Sequence, residues 1–356
     1  MKIILFIAHI IFSINFFTYC LANYQEERFE NGENIGKITV SEVDIYFRYA
    51  PVENINNVIS ARLQGASAQI DIESKNASVV TLDFLLKNLP KNAAPTVNKG
   101  TIAPIAGSKN ALYSLDVQPK ETFTVEISLF SASDSYSFAT VGDLQYNQIV
   151  SEKILNNANG KSLDFFLVIG DFVSQPTQEE YEWALTLSDR FNMPVYCAYG
   201  NHEDFNDGYL FYEKYFGRPN YFFIHQNDLY LILDSAGQSL GKSVFEYAKY
   251  ILENKVGQNK FIFTHVPVFD DSGMRNNGFN SRFEAARFQN MLIENEVDYI
   301  FSGHTHSYDE IQIGGVTNIT AGTGGGIAEN FDSVKYMYLI INRNAAGVTI
   351  EKVHID

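Results

Sequence analysis

Five short apolar runs in this chain end in the same way, in an abrupt polar turn built from Asp, Asn, Gln or His. They are Val141-Gly142-Asp143-Leu144-Gln145; Ile169-Gly170-Asp171; Gly200-Asn201-His202-Glu203, which follows Pro194 to Tyr199; Phe263-Thr264-His265; and Ser302-Gly303-His304-Thr305-His306. Each apolar run reads as a buried strand. Open α/β sheets place ligands at the carboxyl ends of their strands. The chain is therefore expected to fold so that one sheet edge collects these polar side chains. Four of its seven histidines lie in the five segments, a clustering that scattered core histidines would not give.

The residue types narrow the chemistry. Asp, Asn and His together suit a divalent or trivalent transition metal better than calcium, which takes an all-oxygen shell. His304 and His306 face two different metals only if the backbone turns between them, and Gly303 permits that turn. Among the remaining histidines, His225 and His354 sit in strand patterns and read as structural.

The chain has 356 residues, 46% of them hydrophobic, enough for a large core and for two domains. Its formal charge of −16 makes nucleic acid a poor partner, because polyphosphate binding usually needs a basic face. Residues 2–22 read as a secretory signal: Lys2, the apolar run Ile3 to Phe17, then Cys20-Leu21-Ala22 as a cleavage site. The expected protein is exported (secreted, periplasmic or lumenal), with no transmembrane segment after cleavage. Cys197 is then the sole cysteine, so no intrachain disulfide forms, and its place in an apolar strand makes it a core residue.

Residues 23–36 are polar and read as a loose lead-in. From Lys37 the chain looks all-β. Val43 to Tyr49, Ala68 to Ile72, Val79 to Leu86 and Thr122 to Ile127 are strands between Asn-, Gly- and Pro-rich spacers, the pattern of a β-sandwich. At about Asp134 the pattern changes to alternating strands and helices. Helices are expected near Asn147–Asn157, from Thr177 toward Arg190, at Val244–Glu253 and from Ser281 to Glu294. The second and fourth open on capping-box spacings. The end is a hairpin, Tyr336 to Ile341 and Val348 to Ile355. The expected division is a signal at 1–22, a sandwich domain at 23–134 and a catalytic domain at 135–356.

The five segments, in this order, resemble the calcineurin-like metallophosphoesterase superfamily over roughly the last 220 residues. Within it the chain looks most like the purple acid phosphatases, which also place a β-sandwich before the catalytic domain. The resemblance implies an α/β (α+β) fold of four layers, a β-sandwich flanked by helices, preceded by an all-β, fibronectin-III-like sandwich. It also implies two transition-metal ions (Fe, Mn or Zn). Carried over by position, Asp171 bridges both metals, Asp143 and His306 bind the first, and Asn201, His265 and His304 bind the second. His202 faces the substrate. The implied activity is hydrolysis of small-molecule phosphate monoesters by a metal-bridging hydroxide. The alternatives are a phosphodiesterase on nucleotides, cyclic nucleotides or phospholipid head groups, and a catalytically impaired binding protein on the same scaffold.

Two positions depart from the pattern. Ser174 stands where purple acid phosphatases have the tyrosine that gives the ferric colour, and Gln145 stands where other members have a histidine. Gln145 is expected to offer its amide oxygen to the first metal, and the protein to be colourless. The polar loop after His265 carries Arg275, a weaker candidate for a substrate phosphate. Gly322 to Gly326 is expected to allow close backbone approach near the metals.

Overall fold

A computed structural model describes residues 25–91, 94–270, 277–327 and 335–355. The leader 2–22 and Arg275 lie outside the described residues. Among the described residues no helix is long and apolar enough to cross a membrane.

Residues 37–128 form two packed five-stranded sheets. One runs in the order Lys37–Val40, Val43–Phe47, Ser67–Ser74, Thr122–Ser128 and Thr96–Val97; the other runs Val52–Ile55, Val58–Arg62, Val80–Lys87, Ala111–Val117 and Thr101–Pro104. Ala111–Val117 buries every second residue, the period of a strand with one face on a core. Phe47, Phe84 and Tyr113 fill the space between the sheets, with Phe84 and Tyr113 stacked at 5.2 Å. Strands Val58–Arg62 and Ala111–Val117 add to those read from the sequence.

The rest of the chain builds two further sheets that pack face to face. The first runs Val195–Ala198, Phe165–Ile169, Tyr136–Val141, Met337–Asn344 and Gly347–His354, its first three strands parallel. The second runs Tyr221–His225, Asp228–Leu233, Lys260–Thr264, Tyr299–Ser302, Val316–Ala321 and Tyr308–Ile313. Between them lies an aromatic layer: Phe138 stacks on Phe165 at 4.9 Å, Tyr230 on Phe261 at 5.0 Å and Phe263 on Phe301 at 5.2 Å. Helices Gln148–Asn159, Gln178–Arg190 and Gly208–Tyr215 cover the outer face of the first sheet. Helices Gly241–Asn254 and Arg282–Glu294 cover the second. The result is the expected four-layer α/β arrangement. Thr177 and Ser281 cap their helices as their spacing predicts, through the N–H groups of Glu180 and Glu284. The two glutamates, however, turn away from their own caps. Glu180 accepts from the backbone of Ser174 and Gln175, and Glu284 from Leu240.

The sandwich is held to the α/β part by side chains that complete backbone hydrogen bonds. Asn88 donates to the carbonyl of Val195 at 2.9 Å and accepts from its N–H at 3.0 Å. Gln64 makes the same reciprocal pair with Arg218, at 3.0 and 2.9 Å.

Residues 25–32, read from sequence as part of a loose lead-in, are instead a helix. The reason is Arg28, which is 2% exposed and bridges Asp204 at 2.5 Å and Asp234 at 2.9 Å. A largely polar segment is thus fixed by charge pairing, by Glu26 accepting from the Lys242 and Ser243 backbone and by Phe29 on Tyr247, which periodicity does not reveal. Replacing one partner of a buried ion pair leaves uncompensated charge, at a cost of about 3–5 kcal/mol. Arg28→Ala is therefore expected to lower unfolding stability by about that amount in urea titration. A change below about 1 kcal/mol would show that the helix is not anchored this way.

Candidate metal centre

All five polar segments leave the carboxyl ends of parallel strands, three from the first sheet and two from the second. The face-to-face packing brings the ends together. Backbone bonds then stitch the turns across: Gly142 N–H to the Ala321 carbonyl at 2.8 Å, Asp143 N–H to Gly170 at 3.1 Å, and Gly303 N–H to His265 at 2.8 Å. The turns are tight enough to force unusual backbone on the polar residues themselves. Asp143, Gln145, Asp171, His304 and His306 all have positive φ, at 62°, 44°, 51°, 71° and 52°. Such conformations cost of order 1–3 kcal/mol each and persist only where the surroundings over-determine them. His304 and His306 therefore do turn between their side chains, as required for them to face different clusters.

Two clusters result, and they share Asp171. In one, Asp171, His265 and His304 each place a ligand atom within 4.8 Å of the others; in the second, Asp143, Asp171 and His306 do so. Asn201 joins the former: its Oδ1 lies 2.9 Å from His265 Nε2 and 2.7 Å from His304 Nδ1. Gln145 joins the latter: its amide nitrogen lies 3.3 Å from Asp171 and 3.0 Å from His306 Nε2, and a half-turn of the amide exchanges nitrogen for oxygen. The backbone orients two of the rings. His265 Nδ1 faces the Ile169 carbonyl at 2.8 Å, and His306 Nδ1 the Ile327 carbonyl at 2.9 Å, so Nε2 of each is left for the cluster.

The electrostatics fit bound cations. Asp143 Oδ1 is fully buried and makes no well-formed hydrogen bond; it faces His306 Nε2 at 3.4 Å and keeps acceptor capacity for a cation. Burial works against a cationic His265, yet the Asp171 charge prevails and raises it to about 10. His306 is likewise raised to about 9, against its burial, by Asp143. Burial, and then the neighbouring His265 charge, push His304 down to about 4. Protons thus partly substitute for positive charge that the donor set calls for. Three imidazoles, two amides and two carboxylates suit transition metals.

His202 stands apart from both clusters. Its Nδ1 lies 2.7 Å from the Ser174 carbonyl, its Nε2 makes only a long approach to Asp171 Oδ2 at 3.8 Å, and its side chain is 27% exposed at the mouth of the site. Its backbone N–H donates to Asp171 Oδ1 at 3.0 Å. The ring of Phe205 stands edge-on to it at 5.8 Å. Close approach governs the glycines as expected. A Cβ on Gly322 would lie 2.7 Å from Asp143 Oδ2, and one on Gly326 2.9 Å from the His306 ring.

Glu203 has a part that the sequence did not disclose. Its carboxylate is buried and accepts four backbone N–H groups: Phe172 at 2.8 Å and Val173 at 3.2 Å on Oε1, Asp171 at 2.9 Å and Gly200 at 2.8 Å on Oε2. Burial, and then the Asp171 charge beside it, push it up to about 7. Its place in the third polar segment was the available signal, but spacing does not say where a carboxylate points. Glu203→Gln keeps one carbonyl oxygen and turns a two-N–H acceptor into a donor. It is expected to cost about 1–3 kcal/mol in unfolding free energy and to loosen divalent-metal binding in isothermal titration. Unchanged stability and metal affinity would remove Glu203 from this bracing role.

The comparisons bear on this arrangement. The family model of calcineurin-like phosphoesterases matches residues 136–308. No curated protein matches the chain by sequence. Among solved structures, the chain is similar to a purple acid phosphatase from yellow lupin (Lupinus luteus) seeds, at 12% identity and TM-score 0.55, over 81% of this chain and 70% of that one. It is similar to a dimetal phosphatase from Danio rerio at 12% identity and TM-score 0.50, over 62% of this chain and 96% of that one. It also resembles GAP50, the anchor in the inner membrane complex of Plasmodium, at 15% identity and TM-score 0.48, over 63% of this chain and 90% of that one. At these identities the likeness is one of fold. Residues 136–308 are a calcineurin-like phosphoesterase domain, and the fold that carries it is that of the metallophosphoesterase superfamily.

Proposed function

We propose that the protein is an exported, two-metal phosphoesterase acting on small phosphate monoesters, with residues 23–134 as its sandwich domain and 135–356 as its catalytic domain. The observation that carries this reading is the pair of ligand clusters sharing Asp171, with the partly exposed His202 imidazole beside them. Asp171 would bridge the two cations. Asp143, His306 and the amide oxygen of Gln145 would hold the first, and Asn201, His265 and His304 the second. Two such cations would supply Lewis acidity, an activated water near neutral pH and a clamp on the phosphoryl oxygens.

The chain's own residues do the rest. Asp171 accepts the His202 backbone N–H, so the residue that bridges the clusters also fixes the loop carrying that imidazole. His202 is positioned by the Ser174 carbonyl to present Nε2 to the substrate, where a protonated ring donates to the phosphate or to the leaving oxygen. The aromatic layer beneath the strand ends keeps the floor of the site dry and fixed. Ser174 adds no phenolate to the first cluster, which makes that site less selective for Fe(III).

The test is hydrolysis of p-nitrophenyl phosphate and bis-p-nitrophenyl phosphate by metal-stripped protein, with Mn, Zn and Fe added back separately. The expected results are restored turnover, preference for the monoester, and two metals per chain. Asp171→Asn is expected to abolish turnover, and His202→Ala to reduce kcat by about 10²–10⁴-fold with both metals retained. Folded protein that hydrolyses neither ester with any metal would replace this reading by a binding protein on the same scaffold. The iron-loaded protein is expected to show no tyrosinate charge-transfer band in its visible spectrum; a purple form would overturn the account of Ser174.

A further inference from the structure

None of the proposed metal ligands lines the cleft of about 720 Å³ between the N-terminal sandwich and two helices, Gln178–Arg190 and Gly208–Tyr215. Ligand sites of this size commonly lie between domains. Its walls carry two basic side chains that are more than nine-tenths buried, Arg62 at 8% exposure and Lys109 at 7%. Arg62 Nη1 donates to Asp189 at 2.7 Å, whereas Nη2 is buried without a hydrogen-bond partner. Lys109 Nζ donates to the Ser188 carbonyl at 2.8 Å, a neutral partner. Burial, and then the Arg62 charge, push the Lys109 ammonium down to about 7, so the two cations disfavour each other.

A buried cation stays charged cheaply only when paired. Here Asp189 is 56% exposed and engages one edge of one guanidinium, so most of the buried positive charge is uncompensated. Lys37 and Lys214 also line the cleft, and Lys87 pairs only loosely with Glu53, at 3.8 Å. In a chain of net charge −16, this gathering of basic groups runs against the overall balance. Glu213 also lines the cleft and has a buried Oε1 without a partner; its carboxyl is pushed up to about 7 by burial, and when protonated it is a donor.

We propose that this cleft is a second, non-catalytic site that binds a small oxyanion, held by the unpartnered edge of Arg62 and by Lys109. The guanidinium fork takes one carboxylate, Asp189, on one nitrogen and offers the other to the ligand, as Arg does for phosphate and carboxylate alike. The inference stands on side chains that the proposed hydrolysis does not use, and so does not depend on it.

The experiment uses the full-length, metal-stripped chain, in which the clusters around Asp171 hold no cation to bind phosphate. Thermal unfolding and isothermal titration calorimetry are run with inorganic phosphate, with succinate, and with sodium chloride at matched ionic strength. Phosphate or succinate at about a hundredfold excess over Kd is expected to raise Tm by about 2–4 °C over the chloride control. The stronger of the two assigns the ligand to the phosphate or the carboxylate class. Arg62→Met with Lys109→Met is expected to abolish the shift. Should that pair fail to fold, Arg62→Lys keeps the charge, loses the fork, and is expected to weaken Kd at least about fivefold. No shift with either oxyanion, or a shift undiminished in the variants, overturns the proposal.

Discussion

The buried Glu203 carboxylate is the contact on which the metal-ligand arrangement depends. Four N–H groups from two different strand ends converge on its two oxygens, and one of them belongs to Asp171 itself. Backbone amides turned inward at the mouth of a sheet would otherwise be costly orphans. By satisfying them, Glu203 fixes the positive-φ turn that aims Asp171 between the two clusters. Asp171 in turn accepts from the His202 backbone, and Asp143 accepts from the His304 backbone at 2.8 Å, so each carboxylate positions a histidine as well as offering itself to a cation. An acidic carboxylate that braces another is a strained arrangement without cations. Its Coulombic cost falls when positive charge occupies the space between Asp143 and Asp171.

That bracing requires a rigid platform. The facing sheets supply it through an interlayer of stacked Phe and Tyr rings, where packing tolerates little displacement. The polar contacts in this layer are few and paired. Tyr136 donates to Asp228 at 2.5 Å, and Arg343 meets the same carboxylate at 3.0 Å. His225, read as structural, is buried against Asp164 at 2.7 Å, far in role from the four histidines at the strand ends.

The sandwich and the short N-terminal helix meet the α/β part through aromatic contacts, Tyr49 on Phe222 and Phe29 on Tyr247, and through polar ones. Asn88, Gln64 and Arg28 each complete hydrogen bonds or charges in the other layer. Where that polar junction is incomplete, at Arg62 and Glu213, it leaves a charged cleft with unpartnered buried atoms, beside Lys109 on its neutral carbonyl partner. Arg28 also keeps its Nη2 without a partner, yet its guanidinium meets two carboxylates where that of Arg62 meets one.

Much of the plan was legible in the chain. Period-two alternation and continuous apolar runs located the main strands, and the Asp, Asn and His residues after Gly or Thr marked where those strands end. These are local properties: a strand's period and a turn's residues are set within a few positions. The sequence by itself determined the fold class, the two capped helices and the polar strand ends; how the ligand residues divide between two clusters was implied only by the family resemblance. It did not determine which residues would meet across sheets. Glu203 lies beside two site residues, yet its target is the backbone around residue 171; Arg28 lies in a polar lead-in, yet it reaches residues 204 and 234. Ser174 matters through its carbonyl, which no side-chain pattern encodes. Only the tertiary structure decided these, because a buried charge is fixed by whatever unsatisfied partner the packing brings near, and that neighbour is distant in the chain.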